Sequence, residues 1–310
     1  MKEFSIAVHG GAGNILSEKM TPDLEEQYHA ALENALKLGR ECLEKGGLAQ
    51  EAVEIAVADL EDCELFNAGK GSVFAHNGRH ILEASIMEGN GLLAGSVADL
   101  QHVRNPIKLA RQVMLNSNHV MLIGAGAEAF ARENNIELVK NNWFSTDFRK
   151  MQLERIRETP DIDLDHLGLA GEKKYGTVGA VARDKHGNLA AATSTGGVTN
   201  KRWGRVGDSP LIGCGTYAEN GYAAVSTTGY GEVFIRKAVA HDVIARMKYG
   251  GQSLQEVLDA LIHEDLPPAG GDGGLIAIDA NGEVGFAFNT RGMYRGYAYE
   301  NEVHTSIFAD

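Results

Sequence analysis

The sequence predicts an α+β fold in which antiparallel β-sheets are covered by layers of helices. Three observations predict it: strand-like runs come at hairpin spacing, amphipathic helical runs come in pairs, and 38 of the 310 residues are glycine. The usual share of glycine is about 7%. Because only six prolines accompany these glycines, we expect tight turns and close backbone approaches within one globular α+β sandwich.

The first half of the chain alternates between short strands and helices. Residues 4–8 alternate as a strand and lead into the glycine-rich residues 9–13 (HGGAG). Thr21 suits a helix N-cap and Pro22 the first helical position, and apolar residues then recur at helical spacing until Gly46. The sequence next predicts a helix over residues 49–60, glycine turns and short strands over 66–87, a strand over 120–123 and a helix over 125–134.

Residues 155–176 differ from both neighbouring regions. They are polar and acidic, and they show no sustained period. We predict a mobile surface linker here.

Regular structure resumes at residue 177. Residues 177–183 and 189–193 form a predicted hairpin around residues 185–188 (KHGN). Residues 253–256 (SLQE) form a capping box that opens a helix, which two prolines stop. The remaining predicted elements are a strand over 223–227, one long helix over 232–249 and a last hairpin over 275–279 and 284–289.

Composition excludes several classes of function. The formal net charge of −13 argues against nonspecific nucleic-acid binding, which needs a basic surface. No run approaches the ~20 apolar residues of a membrane span, and the N-terminal residues do not resemble a signal peptide. The three cysteines, Cys42, Cys63 and Cys214, fit neither a zinc site nor a disulfide framework. We therefore expect a cytoplasmic protein with no nucleic-acid or membrane partner.

Common catalytic motifs are missing from the sequence. Residues 9–13 and 124–127 each follow a predicted strand, but neither completes a dinucleotide fingerprint or a P-loop. The 11 histidines form no H-E-x-x-H pair, and no G-x-S-x-G elbow occurs. We therefore expect no cofactor and no catalytic transition metal.

Thr177 is the sharpest candidate for a catalytic residue. A threonine that opens a buried strand is usually explained by β-propensity, but this one follows Gly176 at the end of the predicted linker. Cleavage between the two residues would create an α-amine beside a β-hydroxyl. Because that amine titrates near pH ~7.7–8.0, it could serve as the base for its own hydroxyl.

The residues downstream contain a candidate binding site for a zwitterion. Arg205 could hold an α-carboxylate and Asp208 an α-ammonium group, although a surface salt bridge between the two is the plainer alternative. Residues 226–232 (STTGYGE) lead from a strand into a helix. They could supply an oxyanion hole, or they could be an ordinary helix start.

The ordered motifs resemble one family, the plant-type asparaginases or isoaspartyl (β-aspartyl) peptidases of the N-terminal nucleophile hydrolases. The resemblance runs nearly end to end. It is carried by residues 9–13 (HGGAG), 65–71 (LFNAGKG), 83–89 (EASIMEG), 104–106 (RNP), 176–181 (GTVGAV), 192–197 (ATSTGG), 204–210 (GRVGDSP), 228–232 (TGYGE) and 288–293 (FNTRGM).

The resemblance implies a four-layer αββα sandwich that is made as a precursor and cuts itself before Thr177. Residues 1–176 would become an α subunit and residues 177–310 a β subunit, with the cleaved protomers paired as a homodimer. The implied substrates are L-asparagine and isoaspartyl dipeptides.

The resemblance also assigns roles to individual residues. It implies Thr177 as nucleophile assisted by Thr195, and Asn67 near the nucleophile. The remaining implied roles are substrate binding by Arg205, Asp208 and Gly231, oxyanion stabilisation by Thr228 and Gly229, an influence of Gly10 and Gly11 on cleavage, and a structural sodium held by main-chain carbonyls of Leu60, Glu61, Cys63, Phe66, Ala68 and Lys70.

Two features separate the sequence from parts of this family. Glu83 and Glu88 stand where many members carry aspartate, for which we expect local repacking. Gly176 replaces the aspartate that is usual before the nucleophile of glycosylasparaginases. This difference favours the asparaginase and isoaspartyl peptidase branch. Glycosylasparaginase activity is the alternative enzymatic hypothesis, and a non-enzymatic aspartate-binding protein is the alternative from another class.

Overall fold

The computed structural model describes residues 2–158 and 176–309 and has the predicted α+β architecture. The helices are α1 (Pro22–Glu44), α2 (Ala49–Asp62), α3 (Pro106–Asn116), α4 (Gly124–Glu133), α5 (Asp147–Glu158), α6 (Gly231–Lys237), α7 (Val239–Gly250) and α8 (Leu254–Asp259). The strands are β1 (Ser5–Gly13), β2 (Leu82–Glu88), β3 (Ala94–Leu100), β4 (Met121–Ile123), β5 (Val178–Arg183), β6 (Leu189–Thr195), β7 (Thr216–Glu219), β8 (Ala223–Gly229), β9 (Gly273–Asp279), β10 (Val284–Phe288), β11 (Gly292–Ala298) and β12 (Val303–Phe308).

Two sheets face each other at the centre of the molecule. The large sheet has the strand order β12-β11-β1-β5-β6-β2-β3-β4, and the small sheet has the order β10-β9-β8-β7. All strand pairs are antiparallel except β3 with β4. Because β5 lies between β1 and β6, the chain that follows Gly176 enters the middle of the large sheet.

Helices cover the outer face of each sheet, which completes the four-layer αββα sandwich. Helices α1, α2 and α3 pack on the large sheet, whereas α7 and α8 pack on the small one. A separate apolar cluster fills the space between the sheets, with members such as Ala7, Val181, Ala191, Ile276 and Ile278, all buried. Apolar burial on both faces of each sheet holds its strands rigidly in place.

The glycine-rich segment after the first strand belongs to that strand. Residues 9–13 continue β1, with a bulge between His9 and Gly11. Gly11 has φ 111°, a conformation that favours glycine, and a β-carbon on Gly10 would collide with the ring of Phe66. These glycines do not form a turn. They let the backbone of β1 pack closely against the side chain of Phe66.

Two predicted boundaries were wrong. The long helix expected over residues 232–249 is broken at Ala238, whose φ of 48° lies in the left-handed region, so that α6 and α7 are separate helices. The linker expected from residue 155 does not include residues 155–158, because these residues complete α5 and include good helix formers such as arginine and glutamate. The rest of the predicted linker up to residue 175 lies outside the described residues. None of the described helices combines the length and apolarity needed to cross a membrane.

Candidate active site

Thr177 lies immediately before β5 and is only 7% exposed. Its hydroxyl donates a hydrogen bond to Thr195 Oγ1 at 3.2 Å. Thr195, at the end of the neighbouring strand β6, donates in turn to the carbonyl oxygen of Gly176 at 3.0 Å. The two threonine hydroxyls thus form a chain that runs from the predicted nucleophile to the peptide bond that precedes it.

Asn67 supplies a second donor to the same carbonyl. Its Nδ2 donates to Gly176 O and to Gly197 O, each at 2.7 Å. The other end of the side chain is anchored, because Val73 N donates to Asn67 Oδ1 at 2.9 Å. Two fixed donors on one carbonyl oxygen polarise the carbonyl carbon and stabilise the negative charge that develops when a nucleophile attacks it.

A buried polar network lies behind Thr177, between the two sheets. His9 Nε2 on β1 bonds Ser226 Oγ on β8 at 2.9 Å, and Ser226 Oγ bonds Thr193 Oγ1 on β6 at 2.7 Å. A β-carbon on Gly179 would collide with the side chains of both His9 and Ser226, so that this network needs glycine at that position of β5. Burial lowers the pKa of His9 to about 3, which keeps the ring neutral.

Arg205 and Asp208 lie close together near the start of α6. A β-carbon built on Gly231 would lie 2.8 Å from Asp208 Oδ1 and 2.9 Å from Arg205 Nη2. Asp208 is buried and accepts a hydrogen bond from Thr227 Oγ1 at 2.7 Å. Burial raises the pKa of Asp208 to about 6, so the carboxylate form prevails at neutral pH.

The ion pair of Arg205 is made with Glu232 and not with Asp208. Arg205 Nε and Nη2 donate to the two oxygens of Glu232, both at 3.1 Å. This bidentate pair orients the guanidinium group. The surface salt bridge between Arg205 and Asp208, which the sequence left open, is therefore not the arrangement present.

Glu83 positions the loop that carries Arg205 and Asp208. Its Oε2 accepts from Gly207 N at 3.0 Å, and its Oε1 pairs with Lys201 Nζ at 2.7 Å. Both side chains are almost fully buried. The glutamate at position 83 thus makes two specific contacts, with Gly207 N and Lys201 Nζ. The sequence predicted only local repacking at this position.

The predicted oxyanion residues lie at the carboxyl end of β8. Thr228 is 1% exposed, and its Oγ1 accepts from Ala12 N at 3.4 Å. Gly229 has φ 152°, and a β-carbon there would collide with the main chain of Asp272. Backbone can therefore approach Gly229 more closely than it could approach any other residue type.

The predicted sodium loop closes on itself after α2. Backbone N–H groups donate to the carbonyls of Leu60 and Glu61, from Cys63 at 3.3 Å and from Lys70 at 2.7 Å. Within the described part of the chain, the other four carbonyls accept no backbone N–H. Those four carbonyls belong to Cys63, Phe66, Ala68 and Lys70. Because hard cations bind oxygen ligands, a loop with several such carbonyls fits a hard cation.

Sequence reasoning missed two residues of the site. Glu232 ends the motif of residues 228–232 without a role implied for it, although it follows Gly231 directly and so lies in the first helical turn beside Arg205. Arg149 carries no signal in the sequence, because a single arginine in a polar segment belongs to no motif or periodic pattern. In the structure it is 6% exposed, and its Nε donates to Gly71 O at 2.6 Å.

Comparison with known proteins gives consistent matches over the whole chain. A family model described as asparaginase matches residues 2–307. The isoaspartyl peptidase of Escherichia coli strain K12 is 52% identical over 303 residues, covering 97% of this chain and 94% of the relative. The isoaspartyl peptidase of Salmonella typhimurium is 50% identical over 308 residues, covering 99% and 98%. The human isoaspartyl peptidase/L-asparaginase is 38% identical over 305 residues, covering 98% and 96%.

Proposed function

The chain belongs to the asparaginase family, and from this premise we propose that it is a hydrolase of β-aspartyl amide bonds. Its substrates are isoaspartyl dipeptides and L-asparagine, and its common product is L-aspartate. The names of its relatives support this activity. The single observation that supports the mechanism best is the pair of donors, Asn67 Nδ2 and Thr195 Oγ1, on the carbonyl of Gly176.

Self-cleavage is the first reaction that we propose. Thr177 Oγ attacks the carbonyl carbon of Gly176, and the hydroxyl chain offers its proton a path through Thr195 to the carbonyl oxygen. The C–N bond then breaks as this proton passes from the oxygen to the leaving nitrogen, which re-forms the carbonyl of Gly176 as an ester on Thr177 Oγ and frees the α-amine. Water hydrolyses the ester and releases the carboxylate of Gly176.

The freed threonine then turns over substrate. Its α-amine takes the proton from Oγ, which attacks the side-chain carbonyl of the aspartyl group. The leaving ammonia or amino acid carries that proton away, and water releases L-aspartate from the acyl-enzyme. Thr228 and the N–H of Gly229 stabilise the oxyanion in this second reaction, and Thr195 assists the nucleophile.

Two charges select the aspartyl group. Arg205 binds the α-carboxylate and Asp208 binds the α-ammonium, with the Gly231 carbonyl as a further acceptor. The proximity of both side chains to Gly231 supports one shared binding site, and their opposite charges support the division of roles. Because these residues contact the aspartyl part alone, the same site accepts more than one leaving group.

The remaining features of the proposal concern assembly. Main-chain carbonyls of residues 60–70 hold a structural sodium ion, and no cofactor takes part in catalysis. Residues 1–176 and 177–310 form the two subunits of a cleaved protomer, and two cleaved protomers form a homodimer. We also propose a cytoplasmic location, which the low cysteine count supports because proteins of reducing compartments rarely depend on disulfides.

Self-cleavage gives the most direct test. On a denaturing gel the wild type should yield fragments of 176 and 134 residues, and sequencing of the smaller one should begin Thr-Val-Gly. Thr177→Ala should remain one band and hydrolyse neither substrate, whereas Thr177→Ser keeps a hydroxyl and should still cleave. A wild type that hydrolyses isoaspartyl dipeptides while remaining one band would refute the mechanism.

A further inference from the structure

A cavity of about 580 Å³ lies beside the peptide bond that precedes Thr177. Gly10, Asn67 and Gly176 form part of its wall. Arg205, Asp208 and Gly231 are absent from the described residues that line it. The cavity therefore reaches the reacting bond from outside the pocket for the aspartyl group, and its volume lies within the range of small-molecule sites.

Arg149 is a buried cation in the wall of this cavity. It is only 6% exposed, and its Nε and Nη1 donate to Gly71 O and Gln152 Oε1. Among residues 2–158 and 176–309, both of its hydrogen bonds go to neutral oxygen atoms and no carboxylate forms an ion pair with it. Burial lowers the pKa of Arg149 to about 10, so it remains charged at neutral pH. A buried charge without a counter-ion is costly unless an anion binds there.

Tyr294 provides a second buried polar group in the same wall. The residue is 6% exposed, and its hydroxyl has no hydrogen-bond partner in the described part of the chain. Burial raises its pKa above the usual value, which keeps the hydroxyl protonated as a donor. An unsatisfied buried hydroxyl costs free energy that a bound acceptor would recover. Arg149 and Tyr294 both line the cavity, and each carries a donor group for a carboxylate.

The rest of the wall is apolar and aromatic. The ring of Tyr28 stacks on that of Tyr294 with centroids 4.1 Å apart, and Phe66 packs edge-on against both. Glu64 and Asp147 also line the cavity, but both are exposed. Water therefore screens the two carboxylates, while the buried cation acts at low dielectric.

We propose that this cavity binds the leaving amino acid of an isoaspartyl peptide, with its carboxylate on Arg149 and Tyr294 and an apolar side chain against the aromatic rings. The assignment rests on the proposed function. It follows from the difference between the two substrates: L-asparagine releases ammonia, which has neither a carboxylate nor a side chain, whereas an isoaspartyl dipeptide releases an amino acid that has both.

The test compares β-aspartyl-phenylalanine with its C-terminal amide, which lacks the negative charge. Wild-type kcat/KM should be about 10- to 100-fold higher for the acid, since a hydrogen bond to a charged group contributes that much. Arg149→Gln should abolish this preference. Lys150→Gln removes a positive charge from an exposed position of the same helix and should retain it.

Each outcome has one meaning. A wild type that hydrolyses the acid and the amide equally well, or an Arg149→Gln protein that still prefers the acid, would overturn the subsite. If Arg149→Gln does not cleave itself, Tyr294→Phe takes its place and should reduce the preference about two- to tenfold, and an unchanged preference would overturn the subsite. A wild type that hydrolyses no β-aspartyl compound would refute the proposed function itself, and the subsite with it.

Discussion

The cluster that surrounds Gly176 and the clamp that surrounds Arg205 meet at the glycines after β6, yet they are built from different chemistry. Gly197 belongs to both, because its carbonyl accepts from Asn67 Nδ2 and a β-carbon on it would lie 3.4 Å from Arg205 Nη1. On the Gly176 side the polar groups are a neutral amide and two hydroxyls. On the other side they are Arg205, Asp208 and Glu232, all charged groups.

The difference separates the making and breaking of bonds from recognition. Neutral donors on the Gly176 carbonyl stabilise the oxyanion of self-cleavage through its negative charge alone, so this cluster can act on a bond of the chain without recognising a substrate. Charged groups discriminate between ligands through their own sign. We therefore expect changes in the Gly176 cluster to affect self-cleavage, and changes in the clamp to affect substrate binding alone.

The largest expected effect comes from Asn67→Asp. The substitution keeps the shape of the side chain and an acceptor for Val73 N, but it removes the donor to Gly176 O and adds a negative charge where the oxyanion forms. Self-cleavage should slow by about 10²- to 10³-fold, the usual loss for one oxyanion donor. Densitometry of gels over time measures the rate.

The control for this change is Asn77→Asp, the same substitution at an exposed turn where Asn77 Oδ1 accepts from Arg79 N. It should cleave at the wild-type rate. An Asn67→Asp precursor that cleaves as fast as this control would contradict the division, because the amide would then have no part in the bond-breaking step.

An intermediate effect is expected from pH. Since burial raises the pKa of Asp208 to about 6, its carboxylate is present above that pH and becomes protonated as the pH falls through it. The attraction for the α-ammonium group is lost in the same range. The Kd of the cleaved enzyme for L-aspartate, measured by calorimetry, should increase up to about tenfold for each pH unit below 6.

Asp208→Asn tests whether this residue causes the dependence. Its Kd should be high at every pH from 5 to 8 and should lack the inflection near 6. An inflection that persists in the variant would assign the titration to another group and would remove Asp208 from the clamp.

The sequence predicted the α+β sandwich, which the two sheets and their helix layers confirm, and its motifs also named candidate residues that lie together in the structure. Thr177, Thr195, Asn67 and Gly176 were predicted as neighbours of the reaction because ordered motifs carry them, and the hydrogen bonds join all four. The break at Ala238 was missed because residues on both sides favour a helix, and nothing local marks a left-handed residue there.

Other features depended on long-range packing. Residues 9–13 are a strand because β11 and β5 pair with them or with their neighbours. A local pattern of glycines cannot predict pairing with strands that are distant in the sequence. Arg149 was invisible for the same reason, since its burial depends on the loop at Gly71 and the rings of α1 and β11.

The smallest expected effect concerns Glu232, the residue that orients Arg205. Glu232→Gln removes the charge that orients Arg205, but the side chain of Glu232 is 43% exposed, and such pairs contribute only about 0.2–1 kcal/mol. The KM for L-asparagine should therefore rise by no more than about fivefold, while self-cleavage keeps its rate. Glu44→Gln, which removes an equally exposed partner of Arg40, should change neither quantity. A lower KM in Glu232→Gln would reverse the interpretation: Glu232 would then compete with the substrate carboxylate for Arg205, and the clamp would be held partly closed in the free enzyme.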